Sequence, residues 1–101
     1  MSHYVTRGQL NPPVEVRPLY PSGKVVPLDG VTTVRMVIEL DGNTLVDVTS
    51  PDPSLTWDLA TCIIAYQWQS GDTDVKGDLT IVVYLDGVRY PSIGSEDGAI
   101  V

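Results

Sequence analysis

Two segments of strict alternation constrain this chain most. From Thr32 to Leu40, Val34, Met36, Ile38 and Leu40 fall on one side, with Thr33, Arg35, Val37 and Glu39 on the other. From Leu79 to Leu85 the pattern returns, with Leu79, Ile81, Val83 and Leu85 opposed by Thr80, Val82 and Tyr84. A period of two is what a strand with one buried face requires; the same residues on a helix would scatter around its circumference. No segment of ten or more residues shows a helical period. Eight prolines and nine glycines in 101 residues then cut the chain into short strands joined by turns.

The punctuation is regular in chemistry but not in spacing. Leu-Asp-Gly occurs at Leu28, Leu40 and Leu85, each time where an apolar run stops. Asp-Gly supplies the positive φ angles of tight turns, and the unequal intervals describe no repeat unit. Strands are predicted at Val14–Leu19, Thr32–Leu40, Leu45–Val48, Cys62–Trp68, Leu79–Leu85 and Val88–Tyr90, with a last one open at Ala99–Val101, and Val25, Val26 and Leu28 form a short apolar stretch closed by Asp29-Gly30. The stretch Leu55–Leu59 reads equally as a short strand or one helical turn. Residues 1–13, with Gly8 and the adjacent Pro12 and Pro13, read as an extended N-terminal arm. The expectation is one domain, an all-β antiparallel sandwich of about seven strands over residues 14–101, preceded by that arm.

Charge and rare residues narrow the function. Thirteen acids against six scattered bases give a net charge of −7. That field repels phosphate backbones and anionic lipid heads, so neither nucleic acid nor a membrane surface is an expected partner. Cys62 is the single cysteine, which rules out an intrachain disulfide and a multi-cysteine metal site. The start lacks a basic segment followed by an apolar one, and no stretch approaches the roughly 18 apolar residues of a membrane span. Asp72, Asp74 and Asp78 begin like a calcium loop, but Lys76 and Val83 stand where two further ligands are needed. Asp72 and Asp74 are therefore read as turn-builders that bond backbone N–H groups. The only histidine, His3, lies in the arm, away from any nucleophile and base pairing that hydrolysis needs. No cofactor, metal or catalytic residue is expected, and the chain is not read as an enzyme.

The run Tyr66-Gln67-Trp68-Gln69-Ser70-Gly71-Asp72-Thr73-Asp74-Val75-Lys76-Gly77 is a strand end, an Asp/Gly corner and the start of the next strand. It resembles the N-terminal immunoglobulin-like domain of phage baseplate upper proteins, a family marked by an aromatic-x-Trp-x-x-Gly-Asp-Thr-Asp-x-x-Gly corner. The likeness runs from about residue 7 to 101: Arg7-Gly8-Gln9 before Pro12-Pro13, the segments Gly23–Val31 and Val34–Glu39, and Leu85-Asp86-Gly87 with Tyr90-Pro91-Ser92. It implies an immunoglobulin-like sandwich whose corner is built by Tyr66, Trp68, Gly71, Asp72, Asp74 and Gly77. It also implies a virion structural protein, assembled in the host cytoplasm and present in many copies, that contacts other virion proteins in the tail, baseplate or neck. Capsid decoration, with the major capsid protein as partner, is the alternative place. Candidate contact residues are Pro12 and Pro13 of the arm, and Val37, Val82 and Ile63 on otherwise polar strand faces. Trp57, beside Thr56 and Asp58, is the residue that would carry a third reading, a glycan-binding module.

Overall fold

The computed structural model describes residues 2–101, and among them nine strands and no helix. These are β1 (Ser2–Val5), β2 (Val14–Val16), β3 (Val34–Leu40), β4 (Asn43–Thr49), β5 (Leu55–Asp58), β6 (Ile63–Tyr66), β7 (Gly77–Leu85), β8 (Val88–Tyr90) and β9 (Glu96–Ile100). The larger sheet has the order β1-β9-β7-β3-β4, with β8 pairing beside β9 along the far end of β7; the smaller is β2-β6-β5. Every pairing is antiparallel except β1 with β9, which is parallel and makes the larger sheet mixed.

The two alternating segments become the centre of the larger sheet. β3 pairs with β7 over its whole length, Val34 opposite Leu85 through Leu40 opposite Leu79. Val34, Met36, Ile38, Ile81 and Val83 are fully buried and face the second layer. Val14, Val16, Leu55, Ile64 and Tyr66 of the smaller sheet close the core from the other side. Each such aliphatic side chain removed from water contributes about 1.5–3 kcal/mol.

Turn chemistry sorts the three Leu-Asp-Gly sites. At Asp41-Gly42 and Asp86-Gly87 both residues have positive φ, 49° and 84° in each case, the geometry that matches the right-handed twist of a two-residue hairpin. At Asp29-Gly30 only the glycine is left-handed, and the turn closes through the Val31 N–H on the Leu28 carbonyl at 3.1 Å. The turn aspartates also bond outward. Asp86 accepts from the Thr33 N–H at 2.8 Å and the Thr32 hydroxyl at 2.7 Å, tying the β7–β8 turn to the loop before β3.

Those bonds favour the ionised form, with the Thr32 hydroxyl contributing most, so the Asp86 carboxyl sits below its ordinary value of 3.8. Asp52, bonded by Ser54, and Asp47, bonded by Arg35, shift the same way. A carboxyl that is more acidic folded than unfolded stabilises the fold above its unfolded value, and that contribution is lost as pH falls through the folded one. Thermal unfolding should therefore drop on acidification below about pH 4, and Asp86→Asn should drop less over the same range. Equal acid slopes for the variant and the parent would refute the role given to Asp86.

Two features differ from the sequence reading, and two segments left open there are resolved. Strands number nine rather than about seven. Leu55–Asp58, open between a strand and a helical turn, is a strand. The apolar stretch Val25–Leu28 makes a single bridge, Leu19 with Val25, and Val26 and Leu28 are buried in the core. Within residues 1–13, Ser2–Val5 is an edge strand of the larger sheet, with Val5 inserted in the core. Four residues with one buried apolar side chain carry too little pattern to show this in sequence.

Candidate functional site

The Tyr66–Gly77 run folds into a closed corner. β6 ends at Tyr66, and Trp68, two residues on and outside any strand, is 2% exposed with its ring edge-on to Tyr66 at 5.8 Å and 84°. The Tyr66 hydroxyl donates to Asp72 Oδ2 at 2.6 Å, and the Gln69 N–H donates to the same oxygen at 2.8 Å. Asp72 thus binds its own turn and the core tyrosine together. Asp74, assigned the same task from sequence, is exposed, and its own N–H donates weakly to the Gly71 carbonyl at 3.4 Å.

Each glycine of the corner has its own reason. Gly71 has φ 94°, which an L side chain rarely adopts. Gly77 has an ordinary φ, but a Cβ there would lie 2.5 Å from Asp41 Oδ2 and 2.7 Å from Leu40 Cδ1. The buried Thr73 reaches the start of the chain: its hydroxyl donates to the Gln9 carbonyl at 2.8 Å, and its carbonyl accepts from the Gly8 N–H at 2.9 Å. Residues 7–10 are in this way fastened to the corner, with the Gln67 amide on the Leu10 carbonyl at 2.6 Å as a further tie.

Burial pushes the Tyr66 phenol well above its ordinary value of 10, and the bond to Asp72 raises it further. A group that holds its proton more tightly when folded stabilises the fold below its unfolded value, and that stability is lost as pH rises past it. Tyr66→Phe should cost about 1–2 kcal/mol near neutral pH, the worth of one hydrogen bond to a charged acceptor. It should also flatten the decline of stability above about pH 10. Urea denaturation at two pH values measures both; a cost near zero, or an unchanged alkaline slope, would show that the hydroxyl is idle.

The predicted contact residues do not form one surface. Val37 and Val82 are paired neighbours on the outer face of the larger sheet, both half-buried. Beside them Arg35 binds Asp47 through two bonds of 2.8 and 2.7 Å and lies 5.1 Å over the Tyr84 ring. Ile63 is half-buried on the outer face of the smaller sheet. Trp57 pairs with Ile64, whose side chain faces the core, so Trp57 is half-buried against the core rather than standing free. Its rim lines a shallow hollow with Thr56, Asp58 and Thr61.

Pro12 and Pro13 border a furrow of about 400 Å³ between the edge strands β1 and β2, lined also by His3, Val5, Val14 and Trp68. His3 Nε2 is 2.7 Å from Glu96 Oε2 on the neighbouring strand, and the Cys62 thiol points to the Leu59 carbonyl at 3.6 Å, so the two do not meet. No group of three or more His, Cys, Asp or Glu side chains converges as a metal cage among the described residues.

A surface absent from the sequence reading lies where the 17–25 loop meets β8 and the 91–95 loop. Tyr20 packs edge-on to Tyr90 at 6.4 Å, Leu19 bridges Val25, and Leu19, Tyr90 and Pro91 line one hollow. Arg89 holds the 91–95 loop by donating to the Pro91 carbonyl at 2.7 Å and the Gly94 carbonyl at 2.5 Å. Ile93 is thereby presented on a fastened tip, 89% exposed. Leu19, Tyr20 and Val25 of the 17–25 loop and Val88 of β8 are exposed as well. The sequence signal was there: residues 17–25 and 88–95 hold Arg17, Lys24 and Arg89 and none of the thirteen acids. No known protein family, curated protein or solved structure gives a significant match to this chain.

Proposed function

We propose that this chain is a non-enzymatic structural subunit of a bacteriophage particle, an immunoglobulin-like module that joins neighbouring virion proteins in the tail, baseplate or neck. The observation that carries the reading is the apolar tip around Ile93. A large aliphatic side chain that is almost wholly exposed, on a loop held by two arginine bonds, is preorganised for contact with another protein. The polar side chains of the corner are spent on the fold, Asp72 on Tyr66 and Thr73 on Gln9. The resemblance of the Tyr66–Gly77 run to the baseplate upper protein domain supplies the virion context. Many copies under particle symmetry turn modest single contacts into firm attachment.

Mass spectrometry of purified particles made from the genome that encodes the chain tests this, with electron microscopy to separate tail and neck from the capsid surface. The expected result is a stoichiometric multiple of the chain in a tail, baseplate or neck layer. Presence on the head alone would select capsid decoration instead, and absence from particles would overturn the reading.

A further inference from the structure

The side of the sandwich away from the Pro12 and Pro13 furrow ends on a bare strand edge. β4 pairs with β3 alone, and its seven residues hold no proline or lysine, two usual guards of such an edge; β1, β2, β5 and β8 have only three or four residues each. The Ser50 N–H donates to the Val34 carbonyl at 2.8 Å, and antiparallel pairing alternates from there. The N–H groups of Asp47 and Thr49 and the Asp47 carbonyl therefore point off the sheet, and no bond among the described residues takes them. The Thr49 carbonyl is closed by the Asp52 N–H at 3.2 Å, and the shifted register at Leu45 bounds the stretch at its other end. Under this edge the two layers part over a hollow of about 290 Å³, whose walls include Val46, Val48, Tyr66, Asp52 and Asp72.

We infer that β4 takes up an extended segment of a partner protein as one more strand, with lysine or arginine at the positions that face the hollow. The pleat fixes those positions. A segment laid about 4.8 Å outside β4 directs alternate side chains to the same side as Val46 and Val48, which is the side of the hollow. There Asp52 Oδ1 accepts from Ser54, and Asp72 Oδ2 accepts from Tyr66 and Gln69, while Asp52 Oδ2 and Asp72 Oδ1 have no partner among the described residues. Asp47 is already answered by Arg35, and no lysine, arginine or histidine lines the hollow, so the charges of Asp52 and Asp72 are left uncompensated. An apolar side chain laid over them would bury two unpaired carboxylate oxygens, whereas a basic one bonds them. A second copy does not supply that chemistry, because the inward residues of its own β4, Val46 and Val48, already wall its core. Main-chain bonds to the edge hold the segment, and the alternate cations select it. This names a further contact, and its partner's chemistry, for the joining role proposed above, and rests on that reading for its setting.

Amide NMR of the full chain, titrated with a capped peptide of about seven residues in which lysine alternates with valine, tests the edge. The expected result is saturable shifts gathered on Val46–Thr49 with a dissociation constant below about 1 mM, weakened about tenfold in roughly 0.5 M salt. A twin peptide with glutamate for lysine should give none. Asp47→Pro removes an N–H that faces off the sheet and keeps the bonds to β3, so it should retain the fold by circular dichroism. Its binding should fall about tenfold below that of Asp47→Asn, which loses the same charge but keeps the N–H. Asp52→Lys leaves the edge backbone intact and should reverse the preference, weakening the lysine peptide about tenfold and admitting the glutamate one; should Asp47→Pro unfold, this variant decides alone. No saturable shift in low salt, equal binding of the two peptides, or an unchanged preference in Asp52→Lys would each overturn the inference. A chain found in particles whose edge takes no peptide would sink the added strand and leave the function standing; peptide binding by a chain absent from particles would do the reverse.

Discussion

Trp68→Ala is expected to lower the unfolding free energy by about 3–5 kcal/mol, the range for removing a buried aromatic side chain whose site cannot collapse. Trp68 has no strand of its own to lose. It is 2% exposed only because Val5, Val14 and Pro13 stand along the same furrow and Tyr66 meets its ring edge-on. Removing the indole enlarges that furrow and takes away the partner that positions Tyr66, and with it the hydroxyl bond to Asp72 at 2.6 Å. Domains of this size have total stabilities of about 5–15 kcal/mol, so the variant should stand close to unfolding at room temperature. Denaturation followed by the fluorescence of Trp57, the one remaining tryptophan, gives the number. A loss below about 1 kcal/mol would mean that the corner is held without the indole, against the packing described.

Gly98→Ala should detach β1. His3 of β1 sits directly opposite Gly98 of β9, and the place where a Cβ would stand is already taken by the His3 carbonyl. Backbone cannot yield as a side-chain tip can, so the strand must leave, taking Val5 out of the core and His3 away from Glu96. Losing one buried valine and a parallel strand pairing should cost about 2–4 kcal/mol. Gly8→Ala offers the contrast. Gly8 has φ 83° but open space around it, so only the left-handed backbone resists, at about 1–2 kcal/mol. Hydrogen exchange distinguishes the two: in Gly98→Ala the β1 and β9 amides should lose protection while those of β3 and β7 keep it. Retained protection in β1 would show that the sheet can accommodate the methyl group, and the fitted seat assigned to His3 would fall.

Much of the larger sheet was legible from residues alone. The stripes Val34-Met36-Ile38 and Leu79-Ile81-Val83-Leu85 named the buried faces of β3 and β7 correctly, because one-residue slips would expose every one of these side chains and are therefore forbidden. Asp41-Gly42 and Asp86-Gly87 marked two hairpins for the same local reason, two consecutive residues at positive φ. The corner was legible in part. Tyr66, Trp68, Gly71 and Asp72 do what their types imply, whereas the need for glycine at Gly77 comes from Asp41, thirty-six positions earlier in the chain.

What stayed hidden depends on distant partners. Ser2–Val5 becomes a strand because β9 offers it a parallel edge, a notch at Gly98 and a carboxylate at Glu96, none of which four residues can announce. Trp57 turns to the core because β5 takes its register from β6. The tip around Ile93 exists only where two loops separated by more than sixty residues meet through Tyr20 and Tyr90. Local periodicity and turn chemistry determined the layers, since backbone pleat and φ preference act within a few residues. Tertiary structure alone decided which edges pair and which apolar side chains remain outside, since those outcomes follow from contacts between segments that the chain order keeps apart.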